Sequence, residues 1–393
     1  MDVLNLTQIN KLILSKQHLT EDSKIDDIIQ ITDDICGLHS TDLKTSYLSL
    51  FVRSHNFKRF DLERELYSNR NLGRIRGMRR TLFILTTKMI PIVFNATFNL
   101  IEKTFEKYME YHKVSSTDYE KISRSIITLL KGKELSTSEI RKQIKSKANV
   151  PAIIHIMCSK CVLIRARPIK DWKDRRSKYA LFSDYFPNID LKEVKEKEAV
   201  QSLVEQYIKV YGPVSENDIS WWTGLTKSTI RYALQNIETQ FNKAKISSLK
   251  GTYIIHKSDT NRLQNLDNLY KPSLELLPML DPYPMGYKDR DRYIDFDYYN
   301  NVFDRSGNIT STIVLDGAVI GVWDVEETLE PIIKFYLFHP IEDNEYDLLY
   351  SKAEKIGEFY FDKEIKIKEY DSMIPLTERT AGGFMTPLKI AKK

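Results

Sequence analysis

The feature that most constrains the fold is a repeated order of helix signals that ends in a hairpin signal. Ser136-x-x-Glu139 and Ser215-x-x-Asp218 are capping boxes, in which a serine and an acidic residue satisfy the free amides at a helix start. Each box lies between apolar stripes of helical spacing, and each set ends in two short β-forming runs. The boxes are 79 residues apart (136 to 215), a spacing that predicts small repeated domains with separate cores.

The start of the chain has the same order. Apolar stripes within residues 25–35 and 43–51 predict helices, and residues 74–78 and 81–86 predict two strands that join at Arg79-Arg80. Helices closed by a basic hairpin are the layout of a winged helix, whose wing is the hairpin. We therefore predict three tandem winged helices, over residues 1–112 with flanking helices, 113–190 and 191–268.

Beyond about residue 270 the apolar period changes from helical to strand. Runs at 309–315 and 318–323 flank Asp316-Gly317, a strong hairpin signal. A strand at 332–339 and a helix at 346–360 follow. The chain is thus predicted to be α+β, with residues 269–393 forming a small C-terminal β-barrel domain.

The positive charge is concentrated in two short stretches. The chain has 59 Lys and Arg against 54 Asp and Glu, a net charge of +5. Residues 70–80 contain five arginines and no acidic residue, and residues 160–178 contain eight basic and two acidic residues. Basic clusters on an otherwise acidic body favour a nucleic-acid partner over a membrane. A solvated charged face is the alternative interpretation.

The number and spacing of the cysteines bear on the cellular compartment and on metal binding. Three cysteines do not form a disulfide framework, which favours a reducing cytoplasm. Cys158-x-x-Cys161 is half of a zinc motif at most, and two small buried thiols are the simpler interpretation. We expect no metal and no cofactor, a cytoplasmic and nucleoid-associated location, no membrane partner, and a monomer without an obligate protein partner.

Several strings resemble the winged-helix DNA-binding family that includes the AlkZ-like alkylpurine and crosslink DNA glycosylases. These strings are Gly37-Leu38-His39-Ser40-Thr41-Asp42, Met78-Arg79-Arg80-Thr81-Leu82-Phe83, Trp221-Trp222-Thr223-Gly224-Leu225, residues 276–283 and 286–292, and residues 317–323. The resemblance implies three tandem winged helices in a C shape around double-stranded DNA, closed by a barrel. It also implies a monofunctional glycosylase that removes cationic alkylated bases or bulky adducts in base excision repair.

The catalytic motif of that family is altered in this chain. Known glycosylases of the family carry Gln-x-Gln or Gln-x-Asp where this chain has His39-Ser40-Thr41, whereas Asp42 matches an acidic position often seen there. The chain also has Arg80 where Gly is common and Phe83 where His is common. A non-catalytic DNA-binding protein, such as a regulator or damage-protection factor, is therefore the alternative function.

The chemistry of base release suggests roles for three residues. A ring-alkylated purine is already cationic, so it leaves without protonation by a general acid. Stabilising the sugar cation and delivering water remain, and both suit a carboxylate beside polar groups. We predict His39, Thr41 and Asp42 as the catalytic residues, with Asp42 orienting or deprotonating a water that His39 and Thr41 hold by hydrogen bonds. The alternative is that Thr41 or Asp42 only caps the next helix and that His39 is a polar loop residue.

The predicted DNA contacts lie in the two basic stretches and near the start of the last domain. Phosphate contacts need no sequence reading, and Trp172 is suited to wedge against a sugar or base. A core position for Trp172, and pairing of the last three bases with Asp289 and Asp291, are the alternatives. The predicted DNA-binding residues are Arg74, Arg76, Arg79, Arg80, Trp172, Lys173, Arg175, Arg176, Lys178, Lys288, Arg290 and Arg292.

Overall fold

The computed structural model describes residues 2–264 and 272–378 and shows a mixed α+β chain. Its strands form three sheets of three strands and one sheet of five. In each three-stranded sheet two strands form a hairpin that follows a group of helices, and the third strand comes from earlier in the chain. The predicted domain boundary between residues 268 and 269 lies outside the described residues.

The first unit contains a sheet in the order β2-β4-β3, with α2 and α5 packed against it. Its hairpin is close to the predicted one, because β3 and β4 pair antiparallel from Leu72↔Thr86 to Arg76↔Leu82. The elements are β1 (Asp2–Leu4), α1 (Leu6–Lys16), α2 (Ile28–Asp34), β2 (Leu38–His39), α3 (Leu43–Phe51), α4 (Arg59–Glu63), β3 (Leu72–Arg76), β4 (Leu82–Thr86), α5 (Met89–Glu102) and α6 (Phe105–Tyr111).

The second unit contains a sheet in the order β5-β7-β6. The predicted capping box is confirmed, because the Ser136 hydroxyl accepts from the Glu139 amide while the Glu139 carboxylate accepts from the Ser136 amide. The elements are α7 (Ser116–Leu130), β5 (Leu135–Ser136), α8 (Thr137–Ile144), α9 (Val150–Ser159), β6 (Leu163–Pro168), β7 (Ser177–Leu181) and α10 (Phe182–Tyr185).

The third unit contains a sheet in the order β1-β8-β9, which the first residues of the chain complete. The strand β1 pairs parallel with β8, so this part of residues 1–112 belongs structurally to the third unit. The capping box at Ser215 and Asp218 is confirmed. The elements are α11 (Glu196–Tyr211), α12 (Glu216–Thr223), α13 (Lys227–Asn236), β8 (Phe241–Ile246), β9 (Tyr253–His256) and α14 (Lys257–Gln264).

The last unit is an open five-stranded sheet in the order β10-β11-β12-β13-β14. Within the described ranges no pairing joins β10 to β14, so the predicted β-barrel is not confirmed; α17 packs along the sheet instead. The predicted hairpin at Asp316-Gly317 is confirmed, with φ of 53° and 87°. The elements are β10 (Leu274–Leu277), α15 (Pro282–Met285), α16 (Tyr299–Val302), β11 (Thr312–Leu315), β12 (Ala318–Glu326), β13 (Ile332–Leu337), α17 (Asp343–Phe361) and β14 (Lys366–Glu369).

The hydrophobic cores are shared more widely than the repeat predicts. All four units contribute to one continuous core, and the second unit has in addition a cluster of its own around Ile126 and Ile153. A buried ion pair adds a polar tie, since Arg53 at the end of α3 binds both carboxylate oxygens of Asp281 at 2.8 and 2.7 Å. This tie holds α3 against the last unit, and the candidate site lies between them.

Candidate functional site

The altered motif lies at the turn between β2 and α3. His39 pairs with Phe83 in the sheet, and the Ser40 amide donates to the Leu82 carbonyl at 2.8 Å. Asp42 then caps α3, because its carboxylate accepts from the Lys44 amide at 3.0 Å. The sequence-based alternative of a capping role is therefore correct for Asp42, and capping leaves one carboxylate oxygen for other contacts.

That second oxygen binds an arginine from the second unit. Arg175 lies in the loop between β6 and β7, and its Nε and Nη2 atoms donate to Asp42 Oδ2 at 3.2 and 3.1 Å. The Asp42 side chain is 3% exposed and the Arg175 side chain 60%. A nearly buried carboxylate is thus covered by a cation that remains open to solvent on its other side.

Asp42 and Arg175 border a cavity of about 430 Å³ between α3 and the last unit. Its lining includes four carboxylates and three cationic side chains, so the net charge of the wall is negative. The Tyr360 hydroxyl donates to Glu327 at 2.6 Å, and burial together with this carboxylate raises the pKa of Tyr360. The lining residues are Asp42, Lys44, Thr45, Leu48, Arg175, Pro278, Met279, Ser311, Trp323, Asp324, Val325, Glu326, Glu327, Lys334 and Tyr360.

His39 does not face the cavity that Asp42 borders. Its ring packs edge-on against Phe83 at 5.3 Å between centroids, and it lines a separate space of about 20 Å³ beside Arg79 and Trp222. Burial, and then the charges of Arg79 and Arg74, lower the pKa of His39 to about 3, so the ring is neutral near pH 7. Its Nδ1 atom is buried without a hydrogen-bond partner among the described residues.

The three predicted catalytic residues are therefore neighbours in the chain that do not converge on one point. Thr41 is half-buried and lines neither of these two spaces. The prediction that His39 and Thr41 hold a water together with Asp42 does not fit this arrangement. The separation arises because the backbone turns from the end of β2 to the cap of α3 between His39 and Asp42.

Two of the hairpin arginines are engaged inside the protein. Arg74 is buried and donates to the Ser40 hydroxyl at 3.2 Å and to the Ser40 carbonyl, so it supports the altered motif. Arg79 lies 4.0 Å from the centre of the Trp221 ring in the third unit. Burial lowers the pKa of both to about 10. The predicted direct DNA contact does not fit the buried Arg74. Arg79 is half-buried like Arg76 but is engaged with Trp221, and Arg80 is exposed.

The second basic loop is anchored by its tryptophan. Trp172 is 5% exposed and packs against Tyr47 and Tyr360 at 5.1 and 5.3 Å between ring centres. The core alternative is therefore correct and the predicted DNA wedge is wrong, because the indole fills a gap between α3 and α17. Lys173 lies 3.9 Å from the centre of the Tyr360 ring, and burial lowers its pKa. This anchoring places Arg175 over Asp42.

The remaining predicted contacts divide by exposure. Arg176 is exposed and pairs with Asp174 at 2.9 Å, Lys178 is half-buried, and Lys288 is exposed. Arg290 and Arg292 are 4% and 3% exposed, which contradicts the prediction that they contact DNA. Their guanidinium groups bind backbone carbonyls and lie over aromatic rings, Phe303 at 3.6 Å for Arg290 and Tyr287 at 4.1 Å for Arg292. The alternative does not fit either, because within the described residues no ion pair joins these two arginines to Asp289 or Asp291.

The far wall of the cavity consists of residues that were not predicted from the sequence. Trp323, Glu327 and Tyr360 all come from the last unit, far from the motif in sequence. The only signal was the 317–323 string, which ends in Trp323.

Neither a metal group nor a membrane span is found in the described ranges. Residues 2–264 and 272–378 contain no group of three or more His, Cys, Asp or Glu side chains that could hold a metal ion. Cys36, Cys158 and Cys161 are free thiols. No helix in the same ranges is long and apolar enough to cross a membrane.

A family model and a solved structure match the chain. A family model described as DNA glycosylase AlkZ-like matches residues 32–338. A solved structure, the DNA glycosylase AlkZ of Streptomyces sahachiroi, matches with a TM-score of 0.76 at 15% identity and covers 94% of this chain and 100% of that one. No curated protein matches the chain. At this low identity the structural match shows a shared fold.

Proposed function

Because the chain belongs to the AlkZ-like DNA glycosylase family, we propose that it is a monofunctional DNA glycosylase for cationic alkylated bases or bulky adducts in double-stranded DNA. The observation that carries this proposal is the buried Asp42 carboxylate at the edge of an acidic cavity of about 430 Å³. A cavity of this size lies in the range of sites that enclose small ligands. The reaction belongs to base excision repair.

The chemistry of the cavity suits a base that carries positive charge. Asp42, Glu326 and Glu327 supply negative charge, and Trp323 and Tyr360 supply aromatic faces that attract cations. A glycosylase extrudes its target base from the helix to reach the glycosidic bond. In this proposal the extruded base enters the cavity, and Asp42 stabilises the sugar cation and orients the attacking water.

The architecture supports a DNA-binding surface. We assign the three helical units with three-stranded sheets as tandem winged helices, over residues 1–112, 113–190 and 191–268, apart from β1. We assign residues 269–393 to a C-terminal domain. The exposed bases Arg80, Arg175, Arg176 and Lys288, together with the half-buried Arg76, then remain as candidate DNA contacts. Arg175 has two partners in this proposal, since it covers Asp42 in the free protein and can turn to a DNA phosphate.

The experiment is an assay of base release with a parallel measurement of binding. Purified protein is incubated with a duplex that contains a ring-methylated purine, and free base is quantified by chromatography. We expect release above the rate of spontaneous loss. Binding to the duplex without release of base above the spontaneous rate would refute the enzymatic proposal.

One observation favours the second candidate function, a non-catalytic DNA-binding protein. His39 replaces a glutamine of the family motif, and its neutral ring is packed against Phe83 outside the cavity. A motif residue that no longer faces the site fits a protein that binds DNA without cleaving the glycosidic bond. Such a protein would act as a regulator or a damage-protection factor.

A further inference from the structure

The first and second sheets meet along their edge strands. The strand β3 is at the edge of the sheet β2-β4-β3, and β6 is at the edge of β5-β7-β6; the two strands lie against each other without sharing a ladder. Arg74 and Arg76 project from β3, and Arg165 projects from β6. We call these three residues the arginine seam.

The arginine seam holds positive charge that no carboxylate pairs. None of the three guanidinium groups lies within 4.0 Å of an acidic group in the described part of the chain. Their hydrogen-bond partners are neutral: Ser40 for Arg74, the Arg80 carbonyl for Arg76, and the Tyr179 hydroxyl at 3.2 Å for Arg165. The Nε atom of Arg165 is buried and has no hydrogen-bond partner.

The groups that face the seam from neighbouring helices are also uncharged. Tyr108 of α6 and His155 of α9 stack at 4.5 Å between ring centres. Burial, and then the charges of Arg76 and Arg165, lower the pKa of His155 to about 4. Burial raises the pKa of Cys158, on the same helix, to about 11. Imidazole, phenol and thiol are therefore all neutral near pH 7, and none offsets the arginines. The charge of Asp42 raises the pKa of Arg74, but by less than burial and Arg165 lower it.

Adjacent unpaired guanidinium groups destabilise a folded chain. A partly buried charge without a partner loses hydration, and a second cation beside it adds repulsion. The structure shows both effects, since burial and Arg165 together lower the pKa of Arg74 to about 10. An anion from outside the chain would remove this cost, and Arg76 and Arg165 are half-exposed and so accessible to one.

We propose that the arginine seam is a binding site for a phosphodiester group of the DNA backbone, held by Arg76 and Arg165 with Arg74 behind them. The planar fork of a guanidinium group matches two phosphate oxygens, which makes arginine well suited to this ligand. The site rests on the proposed function only in taking DNA as the partner. It places one DNA strand across the junction of the first and second units.

The test measures affinity for an undamaged duplex over a series of salt concentrations. In Arg165→Gln we expect weaker binding and a salt slope lower by about 0.9, the value for one lost phosphate contact. The matched control is Arg124→Gln, an exposed arginine of α7 in the same unit, which is expected to keep the wild-type slope. The thermal midpoint of free Arg165→Gln is expected to equal or exceed that of the wild type, because an unpaired charge is removed.

A second variant and a second ligand complete the test. Arg76→Gln is expected to lower the slope by the same amount and decides the question if Arg165→Gln fails to fold. Unchanged slopes in the seam variants, or an equal loss in Arg124→Gln, would overturn the proposal. If inorganic phosphate stabilises the wild type while the slopes stay unchanged, the site binds free anions and the DNA assignment is wrong. These experiments measure DNA binding and stability, and none of them measures base release. A failure of the seam proposal can therefore be told apart from a failure of the glycosylase proposal.

Discussion

Removing either partner of the Arg53–Asp281 pair is predicted to destabilise the protein strongly and unequally. Both side chains are 0% exposed. In Asp281→Ala, Arg53 keeps only the Ser49 carbonyl at 2.9 Å, because its Nε has no partner already. In Arg53→Met, Asp281 keeps the Ser49 hydroxyl and the Tyr283 amide. Breaking a buried pair costs about 3–5 kcal/mol, so we expect Asp281→Ala near the top of that range and Arg53→Met near the bottom.

The assay is the free energy of unfolding from urea titration, followed by circular dichroism. The double variant Arg53→Met/Asp281→Ala is expected to lose less than the sum of the single losses, because it leaves no unpaired charge. Arg124→Met, which removes an exposed arginine paired with Glu120, is the control and should cost at most about 1 kcal/mol. Single losses below about 1 kcal/mol, or additive losses, would refute the reasoning.

Two further predictions concern the first sheet. Arg80→Ala is expected to weaken duplex binding and to lower the salt slope by about 0.9. Arg79→Ala, which loses its contact with Trp221, should instead lower the thermal midpoint and leave the salt slope unchanged. The reverse pattern would contradict this assignment. His39 has a pKa of about 3 in the folded protein against 6.5 ordinarily, so the unfolded chain takes up its proton first as the pH falls. This residue should therefore lower the free energy of unfolding by about 1 kcal/mol between pH 7 and pH 5.5. In urea titrations at the two pH values, His39→Gln should lose about 1 kcal/mol less than the wild type. An equal loss in both proteins would count against a buried neutral ring.

Local signals account for the parts of the fold that the sequence could predict. The capping boxes at Ser136 and Ser215 and the turn at Asp316-Gly317 depend on residues within four positions of each other, and all three are confirmed. Pairings between distant segments carry no such signal. The strand β1 pairs parallel with β8, and β14 lies at an edge of its sheet. Both arrangements depend on which distant segments pair, and the alternation of apolar residues within one strand does not show its partner.

The candidate site shows the same division. Asp42 and Arg175 could both be selected from the sequence, one from the motif and one from a basic stretch. Their contact joins positions 133 residues apart, and nothing local predicts it. A run of charged residues in the sequence also does not show which of them are buried. Backbone carbonyls and aromatic rings can surround a guanidinium group inside the protein. Arg290 and Arg292 are buried in this way, although their sequence context suggests an exposed turn.

The role of Asp42 is tested most directly by the single-turnover rate of base release from a duplex with one ring-methylated purine. Asp42→Asn keeps the helix cap, since asparagine caps as well as aspartate, and removes the charge. Asp27→Asn is the matched control, because Asp27 caps α2 and lies outside the cavity. We expect a loss of at least about 100-fold in Asp42→Asn and wild-type rates in Asp27→Asn. Equal rates in all three proteins would contradict it.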